Sequence, residues 1–459
     1  MKSKKSIFTG IAVVLLWIGI WQALSLIVHN KILVAGPVET FMALMAQASD
    51  FDFWKTIGCS LLRIGGGFLS AFFLGCILAA LSFKSPQIKA LLSPVMTLAK
   101  SVPVASFTVI LLIWWGADSL SFAISFLVAL PILYVNVLEG LTHMDQRLSV
   151  MAQVFELPFF MRFLYIVRPA LAPFLTGAVK TSLGMGFKAG VAAEVIGNPR
   201  WAIGTALYES KIYLNTAGVF AWTAVVVILA CLMERAALKL LHCFFAWKPL
   251  LLRKPEKEKK VLQAGGVTVQ DAMQCYGENK IFSHFTKVFL PGKIYCLMGA
   301  SGAGKTTLLH TIAGVLPLRE GRIVIEGREG FSVMFQEDRL LAGCSVLQNV
   351  TAASARHEAE EILTALGLAD VLTNPVETLS GGMARRVSLA RALSYNGGVL
   401  LLDEPFAGLD EESRLRAAAC IRKYQNGRTV ILSTHDPKDA ELLQGEILKI
   451  NRQASFLML

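Results

Sequence analysis

Four stretches of this chain run without a single Asp, Glu, Lys or Arg: residues 6–30, 64–83, 119–138 and 212–233. About 20 consecutive apolar residues suffice for a helix to cross the hydrocarbon of a bilayer. Inside lipid the backbone must satisfy its own hydrogen bonds, which makes such stretches helices. A fifth run, 101–117, is shorter but follows the uncharged residues Leu91 to Leu98. A sixth, roughly 169–197, is apolar and Gly-rich, interrupted by Lys180, Lys188 and Glu194. Six transmembrane helices are expected.

The first run follows Lys2, Lys4 and Lys5, as in a signal peptide. It exceeds the roughly 7–15 apolar residues of such a peptide, and no small-residue cleavage site follows, so it is expected to be a retained anchor. Lys and Arg gather on one side of the expected spans: Lys2–Lys5, then Lys84 and Lys89, then Arg147, Arg162 and Arg168, and finally 248–260. By the positive-inside bias this side is the cytosol, and six crossings return both ends to it. The protein is expected in the cytoplasmic (inner) membrane.

Charge is unevenly divided. Residues 1–250 hold 19 Lys+Arg and 10 Asp+Glu (net +9), while residues 251–459 hold 25 and 23 (net +2). Overall 54% of residues are hydrophobic and 17% charged, against about 25% charged in a soluble domain. That excludes a disordered chain and a wholly soluble one. The surplus positive charge sits in the apolar half, where membrane edges explain it; membrane lipid is an expected partner and nucleic acid is not. The eight cysteines form no CxxC pair and read as packing residues, with neither zinc nor disulfide spacing.

Within the sixth run, Lys188 and Glu194 are six residues apart and point about 240° apart on a helix, so they do not pair. Lys180 and Lys188 share a face. Either a lysine faces a central path and favours an anionic solute, or Lys180 snorkels to the cytosolic edge while Lys188 pairs with another helix.

Residues 251–262 contain LLRKPEKEKK, a charged, proline-bearing connector. It divides a membrane domain, 1–250, from a soluble domain, 263–459. In the soluble domain KIYCLMG reads as a buried strand, and Gly299-Ala300-Ser301-Gly302-Ala303-Gly304-Lys305-Thr306-Thr307 follows at once, ahead of a helical pattern. This is a phosphate-binding loop in its required context. Glycines let backbone N–H groups turn towards phosphates, and the helix N-terminus adds positive potential. Lys305 would reach the β- and γ-phosphates of ATP and Thr306 would ligate Mg²⁺. A second apolar strand, 399–402, ends in Asp403-Glu404. Asp403 is placed to hold Mg²⁺ and Glu404 to polarise the attacking water as general base.

Between these motifs stands Leu379-Ser380-Gly381-Gly382-Met383, followed by ARRVSLARAL. The run resembles the signature of ATP-binding cassette (ABC) ATPases, with Met383 in place of the commoner Gln. Gln336 in VMFQED resembles the Q-loop residue, a further contact to Mg²⁺ and the attacking water. Gly408-Leu409-Asp410 resembles the D-loop, and His435 in STHD the switch histidine. Tyr276 is similar to the aromatic that stacks on adenine. The resemblance implies an α/β P-loop ATPase over about 264–450. The helical subdomain is expected to be trimmed, because Ser380 comes only about 44 residues after Gln336. The 24 residues after His435 leave no room for a regulatory domain.

Residues 1–245 resemble an all-α, binding-protein-dependent importer permease. Met151–Pro173 is similar to its coupling-helix region, with Ala152 at the small-residue position and Arg168-Pro169 at the usual Leu-Pro position. Glu156 stands where those permeases usually carry glycine. The alternative is an interfacial helix with no partner. VAAEVIG around Glu194 and the last span resemble importers of the nitrate, sulfonate, taurine, bicarbonate and thiamine-precursor group.

In this family ATP lies between the phosphate loop of one cassette and the signature of another. Ser380 and Gly382 would complete the site in trans, so the resemblance implies a homodimer fed by a separate extracytoplasmic solute-binding protein. A half-size exporter has the same layout but needs long cytosolic extensions, whereas the connections here, about 84–90 and 140–168, are short. A membrane-anchored ATPase that moves no solute is the other alternative.

Overall fold

The structure is a computed structural model and describes residues 2–28, 30, 32–246, 265–276, 279–326, 330–354 and 356–450. The chain divides into two compact units, Met1–His143 with Ala170–Lys248, and Met144–Pro169 with Pro249–Leu459. The expected connector 251–262 lies outside the described residues.

The first unit is helical. Among the described residues four helices are long and apolar enough to cross a membrane: Phe51–Lys84, Ala117–Thr142, Phe159–Gly197 and Thr216–Ala246. A fifth span results if Pro86–Ser101 and Val104–Trp115, bent by 101°, count as one. The bend falls at Val102, which is extended (φ −77, ψ 130) because Pro103 follows it. The first expected span, 6–30, is where the counts differ. Its helix is Lys2–Val28, of which Leu15–Val28 is the apolar stretch among the described side chains.

Leu62, Phe73, Ile113 and Leu240 are exposed, as suits a face turned to lipid. Inside, Phe51–Lys84 packs along Ala117–Thr142 so closely that a Cβ on Gly67 would lie 2.2 Å from the Phe122 carbonyl oxygen. Small residues at such crossings let backbones touch, which stands in for the missing hydrophobic drive. Glu194 is fully buried, and its Oε2 accepts from Ser60 Oγ (2.8 Å) and Gly204 N (3.2 Å). Lys180, not Lys188, pairs across helices, with Glu234 at 3.9 Å. Lys188 is exposed and has no ion-pair partner among the described residues. Cys231 and Cys243 are also exposed, so they do not pack within this chain as expected; all eight cysteines are free.

The second unit is α/β. Strands β1 (Gly266–Tyr276), β2 (Asn279–Phe289), β3 (Ile294–Met298), β4 (Glu320–Glu326), β5 (Phe331–Met334), β6 (Val399–Asp403), β7 (Thr429–Ser433) and β8 (Glu446–Lys449) make two sheets. One is antiparallel, ordered β2-β1-β4; the other is parallel, ordered β5-β6-β7-β3-β8. Strands β6 and β7 are buried throughout, and both have an apolar centre, LLL and VIL. The short stretch before the signature holds the helices Val346–Thr351 and Arg356–Ala365.

Met144–Pro169, drawn from the middle of the membrane half of the sequence, belongs to this α/β unit. Its helix Gln146–Val154 is capped by Asp145, whose Oδ1 accepts from Arg147 N at 2.8 Å. Met151, Ala152 and Phe155 are at most 1% exposed and share a hydrophobic core with Val399 and Leu401. Arg147 pairs with Glu337 at 2.7 Å, and the Phe155 ring stands edge-on to Tyr395 at 5.2 Å. The alternative of an interfacial helix without a partner is therefore discarded.

Glu156 ends this helix at φ +47, a left-handed conformation. Glycine adopts that conformation without a steric penalty. The conformation costs a side-chain-bearing residue roughly 1–2 kcal/mol, against about 0.5–1 kcal/mol of extra chain entropy for glycine. Glu156→Gly is expected to stabilise the full chain by up to about 1 kcal/mol, whereas Glu156→Val destabilises it; thermal unfolding in detergent decides between these signs.

Candidate functional site

Strand β7 pairs in parallel with both β3 and β6, so the C-terminal ends of the three strands lie side by side. Ligands of open α/β sheets bind at this edge. The phosphate loop leaves β3. Gly302 (φ +77) and Gly304 (φ +96) turn it through conformations that glycine tolerates, and a Cβ on Gly304 would lie 2.7 Å from Ile281 Cγ2. The helix Lys305–Ile312 starts at once, with Thr306 and Thr307 half-buried in its first turn. Ala303 is buried, while Ala300, Ser301 and Gly302 are exposed. Lys305 is 6% exposed, and its Nζ donates to the carbonyls of Gly299 (2.8 Å) and Ala300 (3.1 Å). Burial pulls its pKa below the usual lysine range, opposed by the carboxylates of Glu404 and Asp403.

At the end of β6, Asp403 is buried, and its Oδ1 accepts from Ser433 Oγ at 2.5 Å. The same Ser433 oxygen accepts from Glu404 N at 2.9 Å. Glu404 sits at φ +50, a strained position of the kind that clusters at functional sites. Its Oε1 lies 2.8 Å from His435 Nε2. Asp403 Oδ2 is buried without a hydrogen-bond partner. Among the described residues no group of three or more His, Cys, Asp or Glu could hold a metal ion. A single orphaned carboxylate oxygen beside a phosphate loop fits Mg²⁺, which takes one or two carboxylates and completes its shell with phosphate and water oxygens.

Gln336 is exposed on the loop after β5, and its main chain is held from the signature helix, Gly381–Ser394. Arg385, 5% exposed, donates to the carbonyls of Phe335 (3.0 Å), Gln336 (2.7 Å), Asp403 (2.5 Å) and Glu404 (2.6 Å), and to Asp338 Oδ1 (3.1 Å). One guanidinium thus ties the Gln336 loop to the Asp403-Glu404 turn.

Ser380 caps the same helix, its Oγ accepting from Met383 N at 3.3 Å. Ser380 and Gly381 are exposed and Gly382 half-buried. Among the described residues no hydrogen bond joins Ser380–Gly382 to the phosphate loop. Asp410 is the N-cap residue of the helix Glu411–Tyr424. The Tyr276 side chain lies outside the described residues.

The strand ends therefore gather the phosphate loop, Asp403, Glu404 and His435, and Arg385 brings in the Gln336 loop. Ser433 and Arg385 escaped the sequence reading. The only signals were a serine two residues before His435 and an arginine five after Ser380. Partners that orient a metal ligand are typically worth about 10–100-fold. Ser433→Ala is expected to lower ATP turnover by roughly that factor and to raise the Mg²⁺ needed for half-maximal rate, as a Mg²⁺ titration of ATPase activity measures.

Residues 285–407 match the family of the ABC transporter, and residues 71–241 match the binding-protein-dependent transport system inner membrane component. A relative from Frankia alni, the aliphatic sulfonates import ATP-binding protein SsuB 2, is 38% identical over 190 residues, covering 40% of this chain and 76% of that one. SsuB 1 of Pseudomonas fluorescens, named likewise, is 43% identical over 164 residues, covering 34% of this chain and 62% of that one. A solved bacterial ABC transporter cassette, described as dimeric, is 24% identical, covers 40% of this chain and 94% of its own, and has a TM-score of 0.37. With a nucleotide-hydrolysing cassette and a permease component in one polypeptide, the chain belongs to the ABC transporter family.

Proposed function

We infer that the protein imports a small anionic solute, of the sulfonate, nitrate or bicarbonate kind or a vitamin precursor, at the expense of ATP. The observation that carries this reading is the union of a binding-protein-dependent permease component with a cassette in one chain, its Met144–Pro169 segment packed into that cassette. Export fits less well, since the matched permease component is the kind that receives solute from a binding protein. The exposed, unpaired Lys188 supports an anion, because an intramembrane charge needs a cavity or a partner. The setting is the inner membrane, with both ends in the cytosol, surrounding lipid, and a separate binding protein outside.

ATP would lie along the phosphate loop, with Lys305 drawn onto its terminal phosphates and the adenine near Tyr276. Asp403 and Thr306 would hold Mg²⁺, with Gln336 nearby, and the ion would neutralise charge on the phosphates. Glu404, held by the Ser433 hydroxyl and the His435 ring, would take the proton of the attacking water. Ser380 and Gly382 of a second copy would close the site beside Asp410, so two copies are needed.

ATP-dependent uptake into proteoliposomes, with the cognate binding protein supplied, tests import; uptake without it, or outward movement, overturns it. Glu404→Gln is expected to lower hydrolysis at least about 100-fold while ATP binding persists, and normal hydrolysis contradicts the assignment. The trans site has its own test. Lys305→Ala and Ser380→Arg chains are each inactive alone, and co-assembled they regain up to about a quarter of wild-type ATPase activity, since one site in the mixed pair is intact.

A further inference from the structure

We propose that Arg391 is a positioning residue, through which the seating of Phe155 from the Met144–Pro169 segment sets the main chain of the loop that carries Gln336. The inference rests on the transport reading for its meaning but not for its test.

Arg391 lies on the signature helix, six residues after Arg385, and is 1% exposed. Its two terminal nitrogens donate to the carbonyls of Asp338 and Arg339, each at 2.9 Å. Its guanidinium carbon lies 5.2 Å from the centre of the Phe155 ring. Burial pulls its pKa down to about 10, so it remains a cation at neutral pH. Such a cation is drawn electrostatically to an aromatic face, and more strongly when desolvated.

The loop is held at both ends from one helix. Arg385 grips the carbonyls of Phe335 and Gln336, and Arg391 grips those of Asp338 and Arg339. Arg339 itself sits at φ +45, with its guanidinium over the Phe335 ring at 3.8 Å. Across the same loop Arg147 pairs with Glu337 at 2.7 Å, and Arg339 donates to the Arg147 carbonyl at 3.5 Å. The Arg147–Glu337 pair is exposed and therefore weak. The Arg391–Phe155 contact is dry, so it is where a displacement of the segment meets resistance. A shift of Phe155 changes the packing against the same guanidinium that donates to two loop carbonyls.

The test is a double-mutant cycle on the full chain reconstituted in lipid, with Phe155→Leu, Arg391→Met and the pair, read as kcat and KM for ATP. Each single change is expected to lower kcat at least five-fold and leave KM within two-fold. The pair should be no more than two-fold worse than Arg391→Met, because both changes cut one path. Arg391→Lys should recover part of the loss by keeping the cation. The proposal is overturned if the two effects multiply, or if the loss falls on KM. Should Arg391→Met not fold, Phe155→Leu and Arg391→Lys decide alone, and an unchanged kcat in Phe155→Leu refutes it. Uptake by the unmodified chain is scored separately, so a failure of the import reading leaves the cycle interpretable.

Discussion

Because β7 pairs in parallel with β3 on one side and β6 on the other, three chain segments far apart in sequence end at one edge. Everything chemical in the α/β unit follows from that adjacency. The phosphate loop leaves β3, the carboxylates leave β6, and Ser433 and His435 close β7 between them. Ser433 is the smallest part and the most constrained, since a single hydroxyl donates to Asp403 and accepts from the Glu404 backbone. A serine there orients one group and sustains the left-handed turn of its neighbour in the same act.

Buried charge is used in opposite ways in the two units. In the α/β unit Arg385, Arg391 and Arg428 are nearly inaccessible, and main-chain carbonyls are the chief acceptors of their guanidiniums, with the Asp338 carboxylate added at Arg385. Arg428 donates to the carbonyls of Gln425, Leu393, Tyr395 and Tyr424 and to the Ser332 hydroxyl. Carbonyls belong to rigid backbone, so a satisfied guanidinium fixes loops against each other where a salt bridge would fix only side chains. In the helical unit the buried Asp, Glu, Lys or Arg side chain among the described residues is a carboxyl group. Glu194 joins its own helix to Ser60 and to the start of the helix Ile203–Ile212, leaving Oε1 without a partner.

What the sequence disclosed and what it hid have a common cause. Gly302, Gly304, Lys305, Asp403 and Glu404 were legible because their chemistry depends on neighbours one to five positions away. The long charge-free runs were legible for the same reason, as was the odd residue Glu156, which stands in a left-handed conformation. Arg385 and Arg391 were not. Nothing local in ARRVSLARAL marks which arginines turn inward, and their acceptors lie some 50 residues upstream. The partner of Lys180 was hidden likewise, since Glu234 belongs to a helix whose rotation periodicity does not fix. The break at Pro103 had its signal in plain view, a proline inside the shortest apolar run.

The burial of Met151, Ala152 and Phe155 in a core completed by Val399, Leu401 and Ile431 carries a consequence for biosynthesis. Translation delivers the greasy segment some 250 residues before the strands that cover it. During that interval the apolar face of this helix has nothing to cover it, the kind of exposed surface that makes an incomplete chain prone to aggregate. Burial of that face therefore waits on completion of the downstream half.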